Sequence, residues 1–375
     1  LLAAGTRDKK MSRMVMHIDF DYFFAQCEEI RNPSLKTRPV VVCVFSGRTE
    51  DSGVVSTANY VARKHGARSG IPIKLAKARL AAVADAIFLP LDPSYYSEIS
   101  DAAMSIISSR VEKMERVGID ECYIEVSEAK QDTAAAIVLA QEIRAAMLSE
   151  TRLTCSVGVA PNKLVAKIAS DMNKPDGLTV IEPDAAAYAI SALKVGTIPG
   201  VGPKTAARLQ EMQIETVGQL AGIDLFKLTE MFGRKTGTYI YNAARGDDES
   251  PVIDSGERKQ ISRIVTLKKD AEASAEMYNE LYSLCQSVLE KAAGKSLSFR
   301  TVSVMLILDN LDQVSRSKSL KFHSTGLESL SSTARSLLDE AMAGPDKVKV
   351  RRLGVHISDL QKSTGQNTMS EFMNG

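Results

Sequence analysis

The sequence predicts an α/β protein of the α+β kind: a ferredoxin-like module with a small insertion, then a helical module, then a second small α/β module. Three observations carry that expectation. Strand-like and helix-like segments alternate from residue 14 to 182, interrupted over 31–89, in the order of a βαββαβ unit. Residues 184–248 read as helical with short Gly-centred breaks, and beyond the polar, acidic stretch 249–257 a second β-α-β-β-α-β order begins. At 375 residues the chain has room for roughly two to four domains with ample core.

Taken in order, residues 14–30 read as a strand, a turn and a short helix. Pro39 to Phe45 is a β run, closed by a turn through Asp51-Ser52-Gly53. From Ala58 the pattern is helical to a C-cap at His65-Gly66. Thr57, Tyr60 and Lys64 then fall at i, i+3 and i+7 on one face with Arg63 beside it, a face that could bind a triphosphate or simply be polar. Residues 94–115 form an amphipathic helix and 132–148 another; Thr151 to Ala160 is a strand. Pro161-Asn162 starts a further helix, and Lys174-Pro175-Asp176-Gly177 is a turn before the strand Leu178 to Ile181.

In the helical module, Ile198-Pro199-Gly200-Val201-Gly202-Pro203-Lys204-Thr205-Ala206 is a helix-hairpin-helix signature. Successive backbone N–H groups in such a turn, with the helix N-terminus behind them, form a nest that grips DNA phosphate without reading sequence. A tight helical connection is the plainer alternative. Phe232-Gly233-Arg234-Lys235 reads as a second, degenerate hairpin. The second α/β module is read as a strand from Gln260 to Leu267, a helix near 271–293, strands at 299–309 and 314–322, a helix at 327–342 and a strand at 348–357. Its basic residues cluster on strand-like segments, which suits a phosphate-tracking surface better than the net charge of +1 suggests.

Two acidic segments look built to meet. Val15-Met16-His17-Ile18-Asp19-Phe20 and Ile119-Asp120-Glu121-Cys122-Tyr123-Ile124 are apolar runs carrying carboxylates, the second shaped as a hairpin with Gly118 and the acids at its tip. Adjacent strands would bring Asp19 to Asp120 and Glu121. Such acids suit Mg²⁺, or a two-metal site for in-line phosphoryl displacement. Loop acids at strand ends make the same pattern, but here Tyr22, Phe23 and Phe24 follow at once in a chain without Trp. Three consecutive rings cannot all be buried on one side, and a ring beside a metal-bound nucleotide would stack on the sugar and exclude a 2′-hydroxyl.

Composition bounds the rest. The chain is 44% hydrophobic and 25% charged, as expected of a globular protein, and no apolar run reaches a membrane span of ~20 residues. Arg7, Asp8, Lys9 and Lys10 break any signal-peptide core, so residues 1–13 read as an extension. Cys27, Cys43, Cys122, Cys155 and Cys285 lack CxxC spacing, which points to reduced thiols and a cytoplasmic setting.

The segments Asp19-Phe20-Asp21-Tyr22-Phe23-Phe24-Ala25-Gln26, Ser56-Thr57-Ala58-Asn59-Tyr60-Val61-Ala62-Arg63-Lys64 and Ile119-Asp120-Glu121-Cys122-Tyr123 come in one order and resemble the Y-family translesion DNA polymerases of the DNA polymerase IV type, in archaeal form. The likeness runs from about residue 14 to about 360. It implies a right-hand polymerase: palm at 14–30 and 90–183, fingers at 31–89, helix-hairpin-helix thumb at 184–248, linker at 249–257, little finger at 258–360 and a tail at 361–375.

By that resemblance Asp19, Asp120, Glu121 and the Phe20 backbone carbonyl hold two Mg²⁺ ions, with Mn²⁺ able to substitute, and Asp19, Asp120 and Glu121 form the catalytic set. Tyr22, Phe23, Thr57, Tyr60, Arg63 and Lys174 position the dNTP, and Phe24 is the steric gate, where Tyr is common. Gly53, Val54, Ser56 and Gly70 roof the nascent base pair. Their modest size leaves room for damaged template bases at the cost of fidelity. Gly200, Gly202, Lys204, Arg351 and Arg352 contact DNA. Gln366, Met369 and Phe372 resemble a sliding-clamp-binding peptide of archaeal or eukaryotic type, although Met373 replaces its second aromatic. Gly118 and Cys122 depart from the usual Ser and Ala. Primer-template DNA, dNTPs and a clamp are the expected partners of a monomer without 3′–5′ exonuclease. Two other classes share parts of the pattern. A nucleotidyl cyclase has no use for the hairpin or the second module, and a non-catalytic DNA-binding scaffold has none for the three acids.

Overall fold

The computed structural model describes residues 13–126, 133–254, 259–272, 274–343 and 349–363. It divides into two compact units: Leu1–Val44 with Val55–Gly256, and Phe45–Val54 with Glu257–Gly375. β1 (Val15–Phe20) is the spine of the first. Met14, Met16, Ile18 and Phe20 alternate into one core while Val15 enters a second core on the opposite face, as a strand covered on both sides requires.

After β1 come α1 (Phe23–Arg31), β2 (Val40–Phe45), β3 (Gly53–Ala58), α2 (Tyr60–Arg63), α3 (Ile73–Leu80) and β4 (Ile87–Pro90). The strands of this insertion form a separate sheet ordered β3-β2-β4, with β2 and β4 parallel. The helix expected from Ala58 to His65 is only the four-residue α2, capped by the Asn59 side chain, which accepts from Ala62 N at 3.0 Å. Thr57 therefore lies on β3, and Lys64 is exposed at the C-cap rather than sharing a helical face.

The chain then returns through α4 (Pro93–Ser108), β5 (Met114–Arg116), β6 (Glu121–Glu125), α5 (Thr133–Thr151), β7 (Cys155–Ala160), α6 (Lys163–Met172) and β8 (Leu178–Val180). The main sheet is ordered β5-β6-β1-β7-β8, and β1, α4, β5, β6, α5 and β7 supply the βαββαβ order. α4 stops short of residue 115 because Met114–Arg116 pairs with Cys122–Ile124 as the first arm of the acidic hairpin. Asn162 caps α6 by accepting from Val165 N at 2.9 Å, so Pro161 precedes the helix instead of opening it.

Four helices complete this unit: α7 (Ala186–Ser191), α8 (Pro203–Glu211), α9 (Val217–Ala221) and α10 (Leu225–Ala244). The Phe232–Lys235 stretch lies inside α10, which Gly233 breaks with φ +78, a left-handed conformation suited to glycine. The acidic stretch after 248 is docked where it is described: Val252 is fully buried and Ile253 N donates to Glu115 Oε2 at 2.9 Å.

The second unit is a four-stranded antiparallel sheet with two helices. Its elements are β9 (Gln260–Ala271), α11 (Ala275–Ala293), β10 (Leu297–Leu308), β11 (Gln313–Ser324), α12 (Leu327–Met342) and β12 (Val350–Lys362), with strand order β11-β10-β12-β9. The element order matches the sequence reading, with longer strands, because full cross-strand registers recruit the flanking polar residues. All five cysteines are buried and unpaired, and among the described residues no helix is long and apolar enough to cross a membrane.

Candidate active site

Sheet register gathers the acids. Asp19 lies opposite Glu121 in the antiparallel pairing of β1 with β6, and Phe20 N donates to Asp120 O at 2.8 Å. Asp120 occupies the turn of the β5–β6 hairpin. Gly118 leaves the two acids uncrowded: a Cβ there would stand 3.0 Å from Glu121 Cγ and 3.3 Å from Asp120 Oδ1. Beneath the hairpin, Arg116 donates to Ser100 Oγ at 2.7 Å, Asp101 Oδ1 at 2.6 Å and Gly118 O at 3.2 Å, tying the tip to α4.

Each acid has a different electrostatic setting. Burial raises Asp19 above the usual carboxylate range against the opposing pull of Lys174, whose Nζ is 2.6 Å from Asp19 Oδ1. Burial also raises Asp120, helped by the adjacent Glu121 charge. Glu121 goes the other way. The His17 imidazole 3.4 Å from Oε2, and then the Lys167 ammonium on the same oxygen, hold it down to about 2 against burial. Burial pushes Lys174 down, but Asp19 and Asp171 outweigh it and leave it raised.

Asp21, two residues past Asp19, is no part of this group. It is fully buried and accepts from Ser156 Oγ at 2.7 Å, Thr154 Oγ1 at 2.8 Å and Asp176 N at 2.8 Å. It thereby anchors the turn that carries Lys174. No local sequence signal separates the two acids: Asp21 lies in the turn just past β1, and its partners are more than 130 positions away.

A cleft opens beside the acids, lined by Asp19, Phe20, Tyr22, Phe23, Phe24, Ser56, Thr57, Tyr60, Arg63, Ser69, Asp120 and Lys174. Glu121 is not among its lining residues. Tyr22 adopts φ +35 as the N-cap of α1, a sparsely populated conformation that turns its ring to meet Tyr60 edge-on at 5.1 Å. Phe23 is buried against Phe20, whereas Phe24 is half-buried and stacks on Tyr96 at 4.8 Å. Arg63 Nε donates to Ala58 O at 2.8 Å, which fixes the guanidinium beside the Tyr60 ring. Of the roof positions, Ser56 lines the cleft. Val54 and Gly70 do not, although Gly70 holds φ +84 and bonds Val55 O. Sequence reasoning missed Ser69 and also Glu29, a buried acid that accepts from Tyr22 Oη at 3.1 Å and Asn59 Nδ2 at 2.9 Å and so joins α1 to the start of α2.

The remaining nominated residues lie elsewhere in their own units. Gly200 has φ +84, Gly202 caps α8, Pro203 is its first residue and Lys204 is exposed. Tyr239 Oη donates to Pro199 O and closes the turn. Arg351 and Arg352 are half-exposed on β12, Arg351 Nη1 being 4.0 Å from Asp270 Oδ1. Gln366, Met369 and Phe372 fall outside the described residues.

Comparisons with known proteins identify the family. Residues 18–171 match the impB/mucB/samB family, residues 258–369 its C-terminal domain, and residues 196–248 the DNA polymerase-iota thumb domain. The chain is 46% identical over 362 residues to DNA polymerase IV of Nitrosopumilus maritimus, covering 96% of this chain and 99% of that protein. It is 38% identical over 369 residues to DNA polymerase IV of Methanosarcina acetivorans, covering 96% and 100%. Among solved structures, a Y-family DNA polymerase chimera superposes with a TM-score of 0.83 at 33% identity, covering 92% of this chain and 98% of that one. An insertion ternary complex of Dbh DNA polymerase gives 0.69 at 32% identity over the same shares. With the acids, the cleft and the helical hairpin already in place, the chain belongs to the Y family of translesion DNA polymerases, of the DNA polymerase IV type, and is a DNA-directed DNA polymerase.

Proposed function

We propose that the chain extends a primer 3′-end on a DNA template with dNTPs, by phosphoryl transfer at a site holding two Mg²⁺ ions, bypasses damaged template bases and has no 3′–5′ exonuclease. The observation that carries this reading is the register of β1 against β6, which sets Asp19 opposite Glu121 beside Asp120 at the edge of a cleft lined by Tyr60, Arg63 and Lys174.

The donors fit the ions. All are hard oxygens, and Mg²⁺ is typically held by one or two carboxylates together with substrate phosphates rather than by a complete protein cage. Among the described residues no three His, Cys, Asp or Glu side chains stand gathered as such a cage; Asp19 and Glu121 each carry a lysine ammonium on a carboxylate oxygen. Asp19, Asp120, Glu121 and the Phe20 carbonyl would hold the ions. Bound there, they would lower the pKa of the primer 3′-hydroxyl and stabilise the attacking and leaving oxygens.

The chain's own side chains supply orientation. Arg63, Lys174, Tyr60 and Thr57 face the same cleft as the acids and are the groups that would hold a triphosphate, by charge and by hydroxyl. Phe24, braced by Tyr96, would meet the sugar, with Tyr22 and Phe23 alongside. The modest side chains at Gly53, Val54, Ser56 and Gly70 would admit a bulky template base. In domain terms, 14–30 with 90–183 would be the palm, 31–89 the fingers, 184–248 the thumb and 258–360 the little finger, with 249–257 between. The Gly200–Lys204 turn and Arg351 with Arg352 would hold DNA backbone, and the tail would carry a clamp peptide. The Dbh ternary complex, named as an insertion complex, supports the same partners here.

Chelation tests the metal reading. Primer extension should cease in excess EDTA and return with Mg²⁺, with Mn²⁺ serving in its place. Synthesis at an undiminished rate in excess chelator would remove the two-metal assignment.

A further inference from the structure

Lys167 sits where α6 comes closest to the sheet. His17 and Gly158 face each other in the β1–β7 register, and a Cβ on Gly158 would lie 2.1 Å from Ala166 O and 2.4 Å from Ser170 N. Only hydrogen fits there, so the helix rests directly on the strand. That contact brings Ser170 Oγ to 2.8 Å from His17 Nδ1 and equally to 2.8 Å from Lys167 O. With Nδ1 accepting from the Ser170 hydroxyl, the imidazole keeps its proton on Nε2, which points toward Glu121 Oε2 at 3.4 Å. The Tyr123 ring packs beside it at 4.6 Å between centroids. Lys167 Nζ binds the same Glu121 oxygen, so the His17 and Lys167 contacts of this carboxylate both fall on Oε2.

We propose that Lys167, backed by the buried His17, is a positioning residue for the polymerase reaction: it pins Glu121 Oε2 and so offers Oε1 to the ion on the primer side. This rests on the reading of Glu121 as an ion-holding acid. Lys167 acts through Glu121 and does not itself touch the nucleotide, since it lies outside the lining of the cleft that Lys174 and Arg63 share. A rotating carboxylate on a hairpin tip has several rotamers to sample; one with an ammonium and an imidazole on a single oxygen has far fewer.

The test compares Lys167→Ala and Lys167→Arg with wild type and with Glu121→Ala. The Lys167 side chain is 29% exposed, so its truncation spares the core. Two quantities are read: the maximal rate of single-nucleotide insertion, and the dNTP dissociation constant of the dead-end complex with a dideoxy-terminated primer. Lys167→Ala should lower the rate about 10- to 100-fold, leave the dissociation constant within about twofold, and Lys167→Arg should recover most of the loss. A wild-type rate in Lys167→Ala beside an inactive Glu121→Ala overturns the role of Lys167 alone. Weaker dNTP binding with an unchanged rate overturns it too, making Lys167 a triphosphate contact. Insertion at the wild-type rate by Glu121→Ala overturns the reading of Glu121 and this proposal with it.

Discussion

Phe24→Ala is expected to raise ribonucleotide insertion relative to deoxynucleotide insertion by about 100-fold, equivalent to ~3 kcal/mol of lost discrimination. The magnitude follows from how firmly the ring is held. Phe24 stacks on Tyr96 at 4.8 Å with the planes 25° apart, and Tyr96 is fully buried with its hydroxyl donating to Glu28 Oε1 at 2.8 Å. A ring backed in this way is held from retreating, so as a gate it would discriminate against a 2′-hydroxyl by overlap. Deoxynucleotide insertion should fall much less, because Phe24 supplies no charge or hydrogen bond to the triphosphate. The ratio of kcat/KM for dNTP and rNTP reads the effect, and a ratio unchanged from wild type sinks the gate assignment.

Asp21→Ala should be the most damaging single change to the fold near the site, costing about 3–5 kcal/mol. The carboxylate is fully buried and satisfies Ser156 Oγ, Thr154 Oγ1 and Asp176 N. Alanine would leave three donors facing a void at the junction of β1, β7 and the Lys174 turn. A fall in Tm of roughly 10 °C is the expected reading. Asp19→Asn, only two positions away, should melt close to wild type, since it gives up one partly exposed ion pair with Lys174. Equal melting of both variants would show that the two acids are not divided between structure and chemistry as described.

These two acids also mark where the sequence was legible and where it was not. The alternating run that ends on Asp19, the acidic hairpin and the Pro199–Pro203 turn are local patterns, and a local pattern fixes its own element. The second unit was readable for the same reason, each of its six elements having its own periodicity. Thr57 was misplaced because the spacing to Tyr60 and Lys64 mimics a helix, whereas pairing with the neighbouring strand holds Gly53–Ala58 extended. The partners of Asp21, the Glu29 bridge and the Lys167–Glu121 contact join residues tens of positions apart and leave no periodic trace. Val252 was read as linker because its neighbours are acidic and polar; its burial depends on a surface that exists only once the chain has folded.

The most direct measurement is primer extension on a defined template with Mg²⁺ and four dNTPs, comparing wild type with Asp120→Ala/Glu121→Ala and measuring DNA binding by both. The account predicts that wild type extends the primer, and that the double variant binds the same DNA without extending it. Extension by the variant at the wild-type rate, or binding without extension by both proteins, would contradict it.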